Sequence, residues 1–84
     1  MNMNDHQDSE NFSYERTWKE IESALRDAEA NLNRELMALR NNKLTRKQKI
    51  QHMRDYKALD GVVTTLRWVL GDLKVTRAKM LGDE

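Results

Sequence analysis

Residues 14–40 read YERTWKEIESALRDAEANLNRELMALR, and their pattern sets the architecture of the chain. The apolar residues recur at steps of four and three, the spacing that places side chains on one face of an α-helix. At about 100° per residue they stay within one stripe about 80° wide. The periodicity predicts a helix from about residue 14 to residue 40, with Ser13 as its start signal. The members of the stripe are Tyr14, Trp18, Ile21, Leu25, Ala28, Leu32, Leu36 and Leu39.

A turn comes after this helix at residues 41–44, which read NNKL. Asparagine is, after glycine, the residue that best tolerates the left-handed conformation that closes a helix. The next four residues, TRKQ, match a capping box, in which the Thr45 hydroxyl accepts the Gln48 backbone N–H and the Gln48 side chain reaches back. Because the loop between the two periodic stretches has about four residues, the sequence predicts two antiparallel neighbouring helices.

The second helix is predicted to run from about residue 46 to residue 81. The cluster Val62-Val63-Thr64-Thr65 has the composition of a strand, but the flanking residues keep the helical period, which favours helix. Gly61 and Gly71 each cost about 1 kcal/mol relative to alanine inside a helix, so they call for a packing reason. The apolar stripe consists of Tyr56, Leu59, Val62, Val63, Leu66, Val69, Leu70, Leu73 and Met80.

The fold class predicted is all-α: an antiparallel two-helix hairpin over residues 13–84, preceded by an acidic, disordered tail over residues 1–12. A hairpin buries one stripe per helix and has no third layer, and domains of this size are marginal on burial alone. We therefore expect the hairpin to complete its core by oligomerisation into a helical bundle.

Composition excludes several classes of protein. The 84 residues hold 15 Lys and Arg against 14 Asp and Glu, three glycines, no proline and no cysteine. The lack of cysteine excludes disulfide scaffolds and thiol nucleophiles. The polar, acidic N-terminus does not resemble a signal peptide, and the apolar stretch from Val62 to Val75 is too short and too interrupted to span a bilayer. We therefore expect a small, soluble, cytoplasmic protein with no membrane partner.

A second seam runs along helix two, away from its main stripe. On a helical wheel Trp68 lies about 200° from Leu66, so it points outward. The sharper interpretation is an interface for another helix, in which the glycines permit close approach and the tryptophan supplies apolar contact. The alternative is a partly exposed tryptophan beside two tolerated glycines. The candidate interface residues are Gly61, Thr64, Trp68, Gly71, Val75 and Ala78.

Positive charge is concentrated at the tip of the hairpin, in residues 40–57. Such a patch can engage phosphate backbones or an acidic protein surface, with Tyr56 or His52 placed to contact bases. The alternative is a solvated turn. No helix-turn-helix, RNA-recognition or basic-zipper pattern is present, so sequence-specific recognition is not expected. The candidate contacts are Arg40, Lys43, Arg46, Lys47, Lys49, Arg54 and Lys57, against the single acidic residue Asp55.

Catalytic and metal-binding chemistry finds no support in the sequence. His6 lies in the predicted tail, and His52 has no cysteine or second histidine at ligand spacing. There is no glycine-rich phosphate-binding loop, and the acidic residues of helix one are interpreted as surface ion pairs. We therefore expect no enzyme, no cofactor and no small-molecule substrate, and a protein partner that is either a second copy or a larger assembly.

Two segments carry a resemblance to a known group of proteins: Leu66-Arg67-Trp68-Val69-Leu70 and the opening Tyr14-Glu15-Arg16-Thr17-Trp18. Together they resemble small helical-hairpin proteins encoded by bacteriophages and prophages, over roughly residues 14–72. The resemblance implies an accessory component of the virion or a small factor acting on a host protein. It brings no catalytic motif, and it implies a location in the host cytoplasm or in the virion.

Overall fold

The computed structural model describes residues 15–82, and within them the protein is helical without strands. Helix α1 spans Trp18–Leu39, α2 spans Arg46–Val69, and a short α3 spans Arg77–Met80. The two long helices pack against each other. They are antiparallel, because Glu35 pairs with His52 near the loop while Glu29 pairs with Arg67 farther from it. The predicted all-α hairpin and the helical assignment of residues 62–65 are confirmed.

The start of α1 differs from the prediction. The helix begins at Trp18 and not at residue 14, and its N-cap is Thr17. The Thr17 hydroxyl accepts the Glu20 backbone N–H at 3.1 Å, and the Glu20 carboxylate accepts the Thr17 N–H at 3.0 Å. The Thr17 N–H and the Thr17 hydroxyl both donate to the Glu20 carboxylate, and these two bonds hold the pKa of Glu20 below its ordinary value. The tail predicted at residues 1–12 and the start signal at Ser13 lie outside the described residues.

The start of α2 has the predicted capping chemistry. Thr45 caps α2 and its hydroxyl accepts the Gln48 N–H at 3.1 Å, while the Gln48 side chain accepts the Thr45 N–H at 3.0 Å. This confirms the capping box. In the loop, the Asn41 side chain accepts the Lys43 N–H at 3.0 Å, which tightens the turn.

The prediction of one continuous helix from 46 to 81 is wrong, because α2 ends at Val69. Gly71 has a φ of 87°, in the left-handed region that favours glycine. Its N–H donates to the Trp68 carbonyl, and the Asp72 N–H donates to the Arg67 carbonyl, the pair of bonds that defines a Schellman motif. Gly71 is therefore a helix terminator and not a packing glycine inside a helix.

After this terminator the chain forms a short connection and then α3. The Thr76 side chain caps α3 by accepting the Lys79 N–H at 3.0 Å, and Gly82, with a φ of 84°, comes after its last turn. Met80 of α3 lies against α2, where it shares a shallow groove with Val62 and Leu66. The chain thus turns back onto α2 instead of extending past α1.

The core of the hairpin is thin. Among the described residues the buried apolar side chains are Ala28 and Val63, at 7% and 6% exposure. Around them runs a half-buried stripe that matches most of the predicted one. Its members are Ile21, Leu25, Leu32, Leu36, Leu39, Tyr56, Leu59, Leu66 and Leu70. The predicted stripe members that prove exposed are Trp18, Val62, Val69 and Leu73.

Candidate interaction surfaces

The predicted second seam does not form one helical stripe. Gly61, Thr64 and Trp68 lie on α2, with the Thr64 hydroxyl donating to the Asp60 carbonyl at 2.8 Å. The other three members lie beyond the end of that helix. A seven-residue spacing places residues on one face only within a continuous helix, so it does not do so after residue 69. Those three are Gly71 in the terminator, Val75 in the connection and Ala78 on α3.

The structure of the single hairpin does not explain why residue 61 is a glycine. A Cβ atom built at this position would meet nothing within 4 Å, so no close approach inside the described hairpin requires a glycine there. The same residue lines the shallow groove shared with Met80. An alanine at position 61 is therefore sterically acceptable to the isolated chain.

Large apolar side chains are exposed at the start of α1 and in the chain from the end of α2 onward. We call this set the open-end surface and define it as Trp18, Trp68, Val69, Leu73 and Leu81. Trp18 is 64% exposed and Leu73 is 98% exposed, so the hairpin leaves most of both side chains in solvent. Exposed apolar residues of this size are typical of protein–protein contact sites where they form one patch.

Four of the basic residues predicted at the tip lie on one face of α2. A groove of about 420 Å³ is lined by apolar Ile50 and Met53 and by four cationic side chains. We call this set the basic face. Its positions recur at helical spacing, and Ile50 and Met53 are each 44% exposed at its centre. The members are Arg46, Lys49, Ile50, Met53, Arg54 and Lys57.

Three of the predicted basic residues lie elsewhere. Arg40 comes directly after the last turn of α1, where its Nη1 lies 3.9 Å from the Met37 sulfur. Lys43 lies in the loop, and Lys47 is exposed in the first turn of α2 without lining the groove. The structure therefore gathers four of the seven predicted cations on one face.

Ion pairs connect the helices where the core is thin. The Arg67 guanidinium pairs with Glu29 of α1 and with Asp72, 3.4 Å away, just beyond the terminator of α2. Side chains on a helix lean toward the N-terminus of that helix. Arg67, near the end of α2, therefore leans toward the loop, and Glu29 of α1 leans away from the loop. The two side chains lean toward each other along the hairpin and meet.

The carboxylate of Asp72 is held by two groups at the terminator. It accepts the Lys74 backbone N–H at 2.9 Å, and this bond is the main reason why the pKa of Asp72 lies below its ordinary value. The hydrogen bond and charge of Arg67 lower the pKa further. Asp72 thus fixes the turn that reverses the chain after α2.

A cluster that the sequence analysis missed lies on the packed side near the loop. The Nδ1 atom of His52 is 2.7 Å from a Glu35 carboxylate oxygen, and Asp55 lies one turn along α2. The sequence offers His52 no cysteine or second histidine at ligand spacing, whereas Glu35 reaches it from the other helix. The available signal was the spacing of His52 and Asp55 at i and i+3, which puts both on one face.

No protein-family model, curated protein or solved structure matches this chain. Among residues 15–82, no helix has both the length and the apolar character needed to cross a membrane.

Proposed function

We propose that this protein is a non-enzymatic helical interaction protein that completes its hydrophobic core by associating with a second copy of itself. The observation that carries the proposal is the imbalance of burial. Among residues 15–82 only two apolar side chains are buried, while the five large side chains of the open-end surface remain exposed.

Energetics favour association over an isolated hairpin. Burying a large apolar side chain contributes about 1.5–3 kcal/mol, and a single layer of two helices offers few places to do so. Two hairpins packed side by side form a four-helix arrangement with an enclosed core, and a two-fold dimer is the simplest closed form. In such a dimer Trp18 and Trp68 would supply the large contacts that the monomer leaves exposed.

The resemblance to phage-encoded hairpins supports a biological setting for this proposal. In that setting the protein is an accessory of a virion or a small factor in the host cytoplasm. The exposed apolar residues would then serve either the dimer or the contact with a larger protein assembly, and a measurement of oligomeric state distinguishes the two.

The decisive experiment is the mass in solution, measured by light scattering over a wide concentration range. We expect the wild type to be a dimer or a larger oligomer at high concentration. A Trp18→Ser/Leu73→Ser variant should shift toward monomer without losing helix content, because both side chains are largely exposed in the hairpin. Glu22→Ala, an exposed change on α1, is the matched control and should behave as the wild type.

A stable, well-folded wild-type monomer at high concentration would overturn self-association. Docking onto a foreign assembly would then become the leading explanation of the open-end surface. Loss of helix content in the double variant, with Glu22→Ala unaffected, would show that the two side chains support the hairpin itself.

A second candidate function, binding of nucleic acid, rests on the basic face. One side of α2 carries a row of four cations over twelve residues, a length of about 17 Å at 1.5 Å per residue. They are Arg46, Lys49, Arg54 and Lys57. Such a row can neutralise phosphates without reading sequence. The exposed Ile50 and Met53 at its centre are the weakness of this candidate, because phosphates offer them no apolar partner.

The second candidate is tested by titrating labelled DNA and RNA at several salt concentrations. Lys49→Gln/Arg54→Gln removes two charges from the basic face, and Lys19→Gln/Lys79→Gln removes two exposed charges elsewhere. If the face binds phosphates, only the first variant should weaken binding. On a DNA duplex the salt slope should then fall by about 0.9 for each phosphate that is no longer neutralised. Equal binding by both variants would exclude the basic face as the site.

A further inference from the structure

We propose that Glu35, His52 and Asp55 form a binding site for a divalent transition-metal ion that joins α1 to α2. One ligand atom from each residue, a carboxylate oxygen or an imidazole nitrogen, lies within 4.8 Å of the other two. Around one ion with bonds of about 2.0–2.2 Å, two ligand atoms lie at most about 4.4 Å apart. In a four-coordinate site the ligand atoms lie about 3.4 Å apart. The 2.7 Å contact between His52 and Glu35 would therefore open, and any longer separation in the cluster would close by up to about 1.4 Å.

The arrangement uses both helices. Glu35 lies in the last turns of α1, and its side chain is 19% exposed. His52 and Asp55 lie one turn apart on α2, and their side chains lie close to Glu35. The Nδ1–H of His52 donates to Glu35, since a carboxylate can only accept. An ion bound between these two groups would take the place of that proton on Nδ1. In a neutral ring the proton moves to Nε2, and in a charged ring it is released to solvent while Nε2 keeps its own proton.

The donor set selects the class of ion. One imidazole nitrogen and two carboxylate oxygens suit Zn²⁺ and its neighbours in the first transition row, whereas Mg²⁺ and Ca²⁺ prefer oxygen alone. Two carboxylates also balance the charge of a divalent ion. Three protein ligands leave a fourth position for water.

The surroundings permit access from solvent. A shallow groove of about 420 Å³ runs beside the cluster, lined by Asn31, Arg34, Glu35, Asp55, Ala58 and Leu59. Arg34 is the cation of this groove. The four cations of the basic face line a different groove. On a helical wheel Lys49 is one turn before His52 and about 60° from it, whereas Arg46, Arg54 and Lys57 lie farther round α2. Salt screens the repulsion between these exposed cations and a bound ion.

An ion at this place would act as a cross-link near the loop. Since the site needs Glu35 from α1 and two residues from α2, it exists in the folded hairpin and not in the unfolded chain. Binding therefore stabilises the fold in proportion to the logarithm of the free metal concentration. The thin core makes such a cross-link a large addition to the stability of the hairpin.

The test is a titration of the full-length protein with Zn²⁺, measured by calorimetry and by thermal unfolding. We expect one ion per chain and a rise in Tm of about 6–11 °C when free Zn²⁺ is ten times its Kd. Replacing Zn²⁺ with Co²⁺ should give the visible absorption of a four-coordinate site. Mg²⁺ at the same concentration should leave Tm unchanged.

Variants distinguish this site from other zinc ligands. Glu35→Gln can still accept the hydrogen bond of His52, so it keeps the local packing while losing a charged ligand. Both Glu35→Gln and His52→Gln should weaken Zn²⁺ binding at least tenfold. His6→Gln and Glu22→Gln are controls for histidine and carboxylate outside the cluster, and both should bind as the wild type does.

Two results would overturn the proposal. One is the absence of Zn²⁺ binding by the wild type up to a free concentration of about 1 mM, which corresponds to negligible affinity. The other is equal binding by the wild type and His52→Gln, which would place the zinc elsewhere on the chain. Because the readout is the zinc-dependent change in each variant, a lower Tm of a variant without zinc does not affect the conclusion.

Discussion

At the level of single residues, Val62 and Val63 form a natural pair for comparison. They are adjacent on α2, yet Val63 is 6% exposed and Val62 is 46% exposed. Val63→Ala should lower the free energy of unfolding by about 1.5–2.5 kcal/mol, through lost burial and the cavity left behind. Val62→Ala should cost less than half of that. Both changes gain the same helix propensity, so the difference reports burial alone.

This comparison is made by urea unfolding at low protein concentration, where association contributes least. Equal losses of stability in the two variants would contradict the assignment of Val63 to the core. If the loss in Val62→Ala grows as the protein concentration rises, Val62 is covered by the second copy.

Asp72 carries a prediction about pH. Its pKa is lowered in the folded protein by the Lys74 N–H and by Arg67, so the folded state favours the ionised carboxylate more than the unfolded chain does. The stabilisation is therefore present above the unfolded pKa of about 4 and is lost as the pH falls through the lower folded pKa. An Asp72→Asn variant should lose stability at neutral pH and show a flatter acid limb than the wild type.

The measurement is the pH dependence of chemical unfolding, with the Asp72 carboxylate titrated by NMR. Asp60→Asn, an exposed change on α2, serves as the control. A folded pKa of Asp72 at or above the ordinary aspartate value would show that its carboxylate does not hold the turn.

At the level of the helices, the end of α2 depends on Gly71 and not on Gly61. Gly71 has a φ of 87°, so Gly71→Ala should destabilise the protein by about 1 kcal/mol or more. Gly61 lies inside α2 with open space around it, so Gly61→Ala should stabilise the isolated hairpin by up to about 1 kcal/mol. The two substitutions are chemically identical and are expected to have opposite signs.

Thermal unfolding of the two variants at low concentration checks this prediction. Stabilisation by Gly71→Ala would mean that α2 continues beyond Val69. If Gly61→Ala instead impairs oligomer formation while leaving the monomer stable, the absent side chain serves close approach of the second copy.

For the molecule as a whole, association and stability should be linked. If the hairpin completes its core by pairing with a second copy, the Tm of the wild type rises with protein concentration by mass action. The Trp18→Ser/Leu73→Ser variant should show a smaller dependence, because it removes side chains of the open-end surface. A scan over a hundredfold range of concentration measures this directly, and a constant wild-type Tm would contradict the linkage.

Several features of the fold could be predicted because their causes are local. The stripe of α1 results from residues three and four apart, and the start of α2 from the capping box of Thr45 and Gln48. The termination of α2 was also encoded locally, at Gly71. It was missed because the apolar residues after it kept an apparent period, and a glycine that adopts a positive φ looks the same in a sequence as one inside a helix.

Two amphipathic helices, the short turn that connects them and the concentration of positive charge around that turn can all be read from the sequence alone. The tertiary structure was needed to establish which cations share one face, how Arg67 joins α1 to the terminator of α2, and that Glu35 meets His52. These contacts join residues far apart in the chain, and their formation depends on the relative height and rotation of two packed helices. Helical periodicity specifies the face of each residue on its own helix, but it does not specify the residue that lies opposite.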